Sequence, residues 1–406
     1  MKLKVGVIHW AFPPVIGGVE THLLTICPEM VRQGAEVHVL CGSCEGTPSI
    51  EVVEGVNVIR VDEMVPSIIE GFENIYDTSK QMFDKFLDDQ GINLVQAHNL
   101  HMDFYDLSRA LKDACAERGI PCYLVLHNDV FKDRSMDIMW QIIEKISWDR
   151  LVTISKYMKN SLGSKKPNIP SDKWTVIMHG INLDLFTPRT KEEKEKLKKK
   201  YGFEGREVIL NNARFLPRKG ILSAIKSMPI VIKKFPRALM VLTGRKKRIF
   251  KDMDELARYD LEIDKFIQDN NLGENIHISD YTHHDIPKIV SLCDILIYTT
   301  IGNEPFGLGP VEGMACGNPV IVTRSGGMVE SVVHSKTGFL INRNEDRLPV
   351  ELADRILELL SNQSLAKEFG ENGRKRVEEM FDKKRMAKEF IQLSEELIRS
   401  QNPNSV

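Results

Sequence analysis

Short apolar runs alternate with amphipathic stretches along almost the whole chain, and this alternation restricts the fold more than any other feature. Leu3 to Trp10, Glu36 to Cys41, Val56 to Val61, Ile92 to Ala97, Cys122 to His127, Leu151 to Ile154 and Thr175 to Met178 all read as strands. The pattern returns in Val208 to Asn211, Ala238 to Thr243, Asn275 to Ser279, Ile295 to Thr300, Pro319 to Thr323 and Phe339 to Ile341. Apolar strands separated by helical stretches make parallel sheets that helices cover on both faces. The expected class is therefore α/β, in two Rossmann-like halves.

A chain of 406 residues exceeds what one hydrophobic core supports, so two domains are expected, 1–185 and 186–382. The break falls between Asn182 and Gly205. There Pro188 is followed by Lys191 to Lys200, a charged run with almost no apolar face, which reads as a solvated helix held by opposite charges four apart. Ligands of open α/β sheets bind beyond the carboxyl ends of the strands, so two facing sheets are expected to build one site in a cleft.

A hydrophobic share of 42%, a charged share of 28% and a net charge of −2 are ordinary for a soluble protein and give no pull toward nucleic acid. The first residues enter a strand directly, and no later run has the length of a membrane span; a cytoplasmic location is expected. Contact with an inner membrane surface through the basic segment Lys156 to Lys173 stays open. The seven cysteines read as reduced core residues. Cys41 and Cys44 have redox spacing, but the chain continues as a loop and not as the helix that would activate a thiol.

The densest chemistry lies in Glu304-Pro-Phe-Gly-Leu-Gly-Pro-Val-Glu312, where two carboxylates flank a glycine-rich strand-to-helix turn. Pro310 suits the first helical position, where its missing N–H costs nothing. Backbone amides of Phe306, Gly307, Leu308 and Gly309 would then face outward at a positive helix end, as in phosphate-binding loops. Glu304 and Glu312 would bracket an anionic ligand that carries hydroxyl groups, such as a nucleoside diphosphate sugar. A second glycine pair, Gly17-Gly18, closes the turn after the first strand and lets backbone come close to a ligand.

Glu304 to Glu312, with the following Gly313 to Thr323, Gly326-Gly327, Glu330 and Thr337 to Ile341, resembles the E-x7-E signature of retaining glycosyltransferases of family 4. The resemblance implies the GT-B architecture, two Rossmann-like domains facing each other across a cleft, with a C-terminal helix at about 383–400 crossing back onto the first. It implies a nucleotide-sugar donor, most commonly a uridine diphosphate sugar, and no essential metal. Arg214 and Lys219, in Leu210 to Gly220, occupy the positions of the basic pair that grips the donor diphosphate. Fixed cations in a dry cleft stabilise a departing diphosphate. The resemblance also gives His127 a contact to the donor sugar, with its imidazole donating to a hydroxyl, and places Gly17 and Gly18 beside sugar and phosphate. Glu304 would fix sugar hydroxyls, and Glu312 would accept from the ribose. His179 and Asn182 depart from the family's asparagine and aspartate near the hinge.

No metal site is expected. His98 and His101 lack a third ligand at readable spacing, and the acidic triplet Asp252-Met253-Asp254 has no strand before it. The acceptor, whether small molecule, glycan or lipid-linked, has no readable code in the loops Val61 to Asp77 and Asn99 to Tyr105. A nucleotide-sugar epimerase or sugar phosphorylase could use the same fold. A non-catalytic dinucleotide binder would need G-x-G-x-x-G after the first strand, and the chain has Ile16-Gly-Gly-Val there.

Overall fold

In the computed structural model, which describes residues 2–15, 17–102, 104–129, 136–244 and 253–401, the chain forms two compact units. The first comprises Met1–Gly180 and Lys383–Val406, the second Ile181–Asp382. Asp252 of the acidic triplet lies outside the described residues.

The strands of the first unit are β1 (Lys4–Ile8), β2 (Glu36–Gly42), β3 (Ile50–Val53), β4 (Val56–Val61), β5 (Leu94–His98), β6 (Cys122–Leu126), β7 (Leu151–Thr153) and β8 (Trp174–Val176). They join in the order β3-β4-β2-β1-β5-β6-β7-β8. Every pairing is parallel except β3 with β4. β3 was not among the expected strands. It is an antiparallel edge strand turned by Glu54 and Gly55, both with positive φ (48° and 85°), and its Ile50 and Val52 are exposed. Its Val53 packs against the core while Ile50 and Val52 face solvent, so over four residues it carries neither the buried apolar run nor the apolar/polar alternation that marks a strand.

Burial of β1, β2, β5 and β6 against helices builds the core of this unit. The helix Gly18–Arg32 contributes Leu23, Ile26, Cys27 and Met30. The helix Lys383–Gln401 adds Met386 and Ala387, then Phe390, Leu393 and Leu397 at three- and four-residue steps on one apolar stripe, to the same cluster. Its Ser394 hydroxyl lies 3.3 Å from the Tyr123 hydroxyl of β6.

The second unit holds β9 (Val208–Asn211), β10 (Leu239–Thr243), β11 (Ile276–Ser279), β12 (Ile295–Tyr298), β13 (Val320–Thr323) and β14 (Gly338–Ile341). Their order is β11-β10-β9-β12-β13-β14, and all pairings are parallel. In each sheet the chain winds outward on one side and then returns to the other. The resulting switch point lies between β1 and β5 in the first unit and between β9 and β12 in the second. Loops leaving the carboxyl ends of those neighbours diverge and leave a crevice there.

The charged run forms the helix Lys191–Tyr201, started by a capping box between Thr190 and Glu193. It is not wholly solvated. Lys198 is buried and pairs with Asp294 (2.8 Å), whose carboxylate also accepts the Val208 N–H at the start of β9 (2.7 Å). Lys194 donates to Asn318 Oδ1 and to the Cys293 carbonyl. Long aliphatic stems let these amines reach partners inside the unit, which a count of apolar residues does not register. Cys41 lies buried within β2 and its thiol is pushed up to about 12 by burial, opposite to the shift a redox nucleophile needs. Among the described residues no helix is long and apolar enough to cross a membrane.

Candidate active site

At the switch point of the second unit, the loop after β9 (Asn212 to Gly220) lies beside the loop after β12 (Thr299 to Gly307). Thr299 stitches them. Its hydroxyl approaches the carbonyls of Lys219 (3.2 Å) and Gly220 (3.1 Å) and lies 3.2 Å from Asn211 Nδ2. The turn Pro217–Lys219 ends on Gly220, whose φ of +65° and close approach to the Thr299 carbonyl leave no room for a Cβ.

This stitching sets Lys219 into the sheet's mouth, where it is only 4% exposed. Its ammonium donates to the Glu304 carboxylate and to the Tyr298 hydroxyl (3.1 Å), and it stands 5.1 Å from the centre of the Tyr298 ring. Burial pulls the Lys219 pKa down, but the Tyr298 phenol and the Glu304 carboxylate outweigh it and hold the amine above the usual lysine range. Arg214 is exposed on the same loop, and its charge reaches the buried Tyr298 phenol.

Glu304 is itself 9% exposed and rigidly mounted. Its N–H donates to Ser325 Oγ (3.2 Å), Ser325 donates to the Gly302 carbonyl, and the Gly327 N–H donates to the Glu304 carbonyl (2.8 Å). Gly326, at φ +52°, presses on that carbonyl so closely that a Cβ would overlap it.

The glycine-rich turn becomes the helix Leu308–Ala315, capped by Gly307 in the left-handed region. Pro310 is its third residue, not its first; it still sits among the opening positions whose N–H groups have no partner in the helix. Phe306 is buried with its ring 5.7 Å from that of Phe381, which anchors the turn. Glu312, partly buried one turn into the helix, accepts from Asn212 Nδ2 at 2.9 Å. Burial raises its pKa to about 7, partly opposed by that hydrogen bond. Asn212 Oδ1 is buried without a partner in the described structure. Lys219, Glu304, the helix start and Glu312 thus share one switch point. Asn212, Tyr298 and Ser325, which complete the arrangement, went unrecognised in the sequence because each reads as an ordinary strand-end or turn residue.

The first unit's switch point is lined with histidines. His9, after β1, donates from Nδ1 to the His98 carbonyl at the end of β5 (2.9 Å), and its Nε2 lies 3.1 Å from Glu20 Oε1. Glu20 also fills the space beside Gly17 at the head of the helix Gly18–Arg32. His127, after β6, is positioned by its N–H donating to Asn99 Oδ1 (2.8 Å). His98 Nε2 faces Gln96 Oε1 (3.4 Å), an acceptor, so its Nδ1 is the bare nitrogen that accepts from His127 Nε2 (2.9 Å). Burial lowers both histidines well below the usual range, so both are neutral. This chain of bonds leaves His127 Nδ1 without a proton and without a partner. In this tautomer His127 Nδ1 is an acceptor. His22 and His179 complete the group, with ring centres 4.6 Å apart and 4.7 and 5.3 Å from that of His127. His101 is buried on the turn after β5, and no ring contact joins it to this group among the described residues.

Comparison with known proteins gives both units the same kind of relative. Residues 16–185 match the family model described as Glycosyltransferase Family 4, and residues 193–376 match Glycosyl transferases group 1. The chain is similar to the putative glycosyltransferase YtcC of Bacillus subtilis, at 26% identity over 69% of this chain and 68% of the relative. It is also similar to spore coat protein SA of the same organism, at 26% identity over 94% and 96%. Anabaena HepE, solved in complex with UDP and glucose, superposes with a TM-score of 0.77 over 97% of this chain and 100% of its own, at 18% identity, and so shares the fold.

Proposed function

Starting from a chain that belongs to the family 4 glycosyltransferases and has the GT-B fold class, we propose that it transfers a sugar from a nucleotide diphosphate donor to an acceptor hydroxyl with retention at the anomeric carbon. The observation that carries this reading is the convergence of Lys219, Glu304 and Glu312 on one switch point, beside a glycine-capped helix start. Arg214, Lys219 and the amides of Phe306, Gly307, Leu308 and Gly309 hold the diphosphate and meet the charge that grows as it leaves. Glu312 accepts from ribose hydroxyls, and Glu304 accepts from the sugar while holding the Lys219 ammonium in place. In the first unit, Gly17 and Gly18 give backbone room for the donor, and His127 accepts from a sugar hydroxyl through Nδ1. Neither carboxylate is assigned as nucleophile: the leaving phosphate oxygen takes the acceptor proton on the face it departs from, so positioning and electrostatics supply the rate.

A uridine diphosphate sugar is the proposed donor, and HepE, of like fold, is a protein solved with UDP-glucose. The acceptor side belongs to the first unit. Protein cations and amides carry the leaving-group charge in this reading, so transfer is expected to survive chelator. The test is a donor screen by thermal shift with UDP-sugars and GDP-mannose, followed by sugar release with and without EDTA and NMR of the product's anomeric configuration. Stabilisation by no nucleotide sugar, an inverted product, or release abolished by EDTA would each overturn part of this reading.

A further inference from the structure

Five histidines from distant parts of the sequence meet at the first unit's switch point, and the hydrogen-bond chain already described uses only some of their nitrogens. His22 is 3% exposed, with neither ring nitrogen partnered in the described structure. His127 is 5% exposed with Nδ1 bare, and His179 is 5% exposed. One ring nitrogen from each of the three lies within 4.8 Å of the other two. A buried imidazole with both nitrogens idle forfeits its hydrogen bonds to water and gains nothing in return, so a partner that fills the space removes that cost.

We propose that His22, His127 and His179 form a binding site for a transition-metal dication of the zinc class. Imidazole nitrogen is a preferred ligand of such ions, and three histidines leave one position of a tetrahedron for water. Zinc–nitrogen distances of about 2.0–2.1 Å place ligand nitrogens about 3.3 Å apart, so the rings close on the ion by roughly 1 Å through small side-chain rotations. His98 does what an outer partner of a metal ligand does: by accepting from His127 Nε2 it fixes the tautomer and leaves the Nδ1 lone pair unprotonated.

The charges around the site are mixed. Glu20 faces His9 on one side. On the other, the Arg385 guanidinium donates to the carbonyls of Met178 and His179 (2.6 and 3.2 Å) and pairs with Glu389 (2.7 Å), which offsets its repulsion of a dication. The metal and a sugar hydroxyl compete for the same His127 nitrogen. Lys219, Glu304 and Glu312 belong to the second unit and are not among the three proposed ligands. The inference does not rest on the transferase reading, because its test reads metal content and not turnover.

The experiment measures metal in the full chain, purified without an affinity tag from zinc-supplemented medium, by elemental analysis. Equilibrium dialysis with zinc chloride and cobalt(II) absorption spectra after chelator treatment follow. About one zinc per chain and the intense visible bands of four-coordinate cobalt are expected. His22→Ala and His179→Asn should each weaken zinc binding at least about 100-fold, with folding followed by circular dichroism. The asparagine is close in size to the imidazole it replaces, so it decides the matter if the alanine variant fails to fold. Zinc well below one per chain in the parent, cobalt bands of six-coordinate type, or parent-like binding in His179→Asn would overturn the proposal.

Discussion

The ammonium of Lys219 and the carboxylate of Glu304 form a buried ion pair, joined by the Tyr298 hydroxyl, across the switch point of the second sheet. Two residues given separate tasks by the sequence thus act on each other. The buried ammonium is kept charged by this carboxylate, and under the proposed reading a donor diphosphate would have to share that cation with Glu304.

Glu304→Gln keeps the size of the side chain but removes the charge that neutralises Lys219. The variant is expected to fold and to melt a few degrees lower, with donor turnover down by about a hundredfold, the scale of one lost transition-state contact. UDP should bind at least as tightly as to the parent, because Lys219 no longer divides its charge between two anions. A full-speed variant, or one that binds UDP far more weakly, would assign the glutamate a purely structural part; calorimetry and initial rates distinguish these.

Lys219→Ala strands a buried carboxylate. Breaking one side of such a pair costs on the order of 3–5 kcal/mol, so the melting temperature should drop clearly. Turnover at saturating donor, measured well below that temperature, should fall by at least about a hundredfold. Near-normal turnover of the folded variant removes the lysine from the mechanism.

Glu312 predicts a pH dependence. Burial raises its folded pKa to about 7, above the ordinary 4.5, so the folded protein binds this proton more tightly than the unfolded chain does. Its contribution to stability is present at low pH and is lost as pH rises from about 4.5 through about 7. Chemical denaturation of Glu312→Gln against the parent should therefore show the variant gaining relative stability across that window. Ribose hydroxyls are accepted best by the ionised form, so kcat/KM for donor should rise through the same range in the parent and lose that rise in the variant.

Gly220→Ala tests the local geometry that delivers Lys219. At φ +65° with the Thr299 carbonyl against it, an added methyl group forces β9 and β12 loops apart. A loss of about 1–3 kcal/mol is expected, with turnover impaired beyond what reduced folding accounts for. Urea titration together with rates normalised to folded protein checks both parts.

The sheet strands were legible because parallel strands buried on both faces are continuous apolar runs. β3 escaped for the opposite reason: a four-residue antiparallel edge strand with Ile50 and Val52 in solvent presents no buried apolar run, and its local mark is the Glu54-Gly55 turn. At the site, Glu304, Glu312, Arg214 and Lys219 could be picked out because they cluster within two short motifs. Tyr298 could not, since an aromatic residue in a strand such as Ile295 to Tyr298 is first of all core.

What the sequence determined by itself was therefore local: which segments are strands and helices, where glycine permits a turn, and which loops carry charge, all properties of residues close along the chain. Strand order alone decided that residue 219 meets 304, and that histidines at 9, 22, 98, 127 and 179 share one enclosed space. Such meetings depend on how the sheet is wound. Winding is selected by the packing free energy of the whole core, which no single segment encodes.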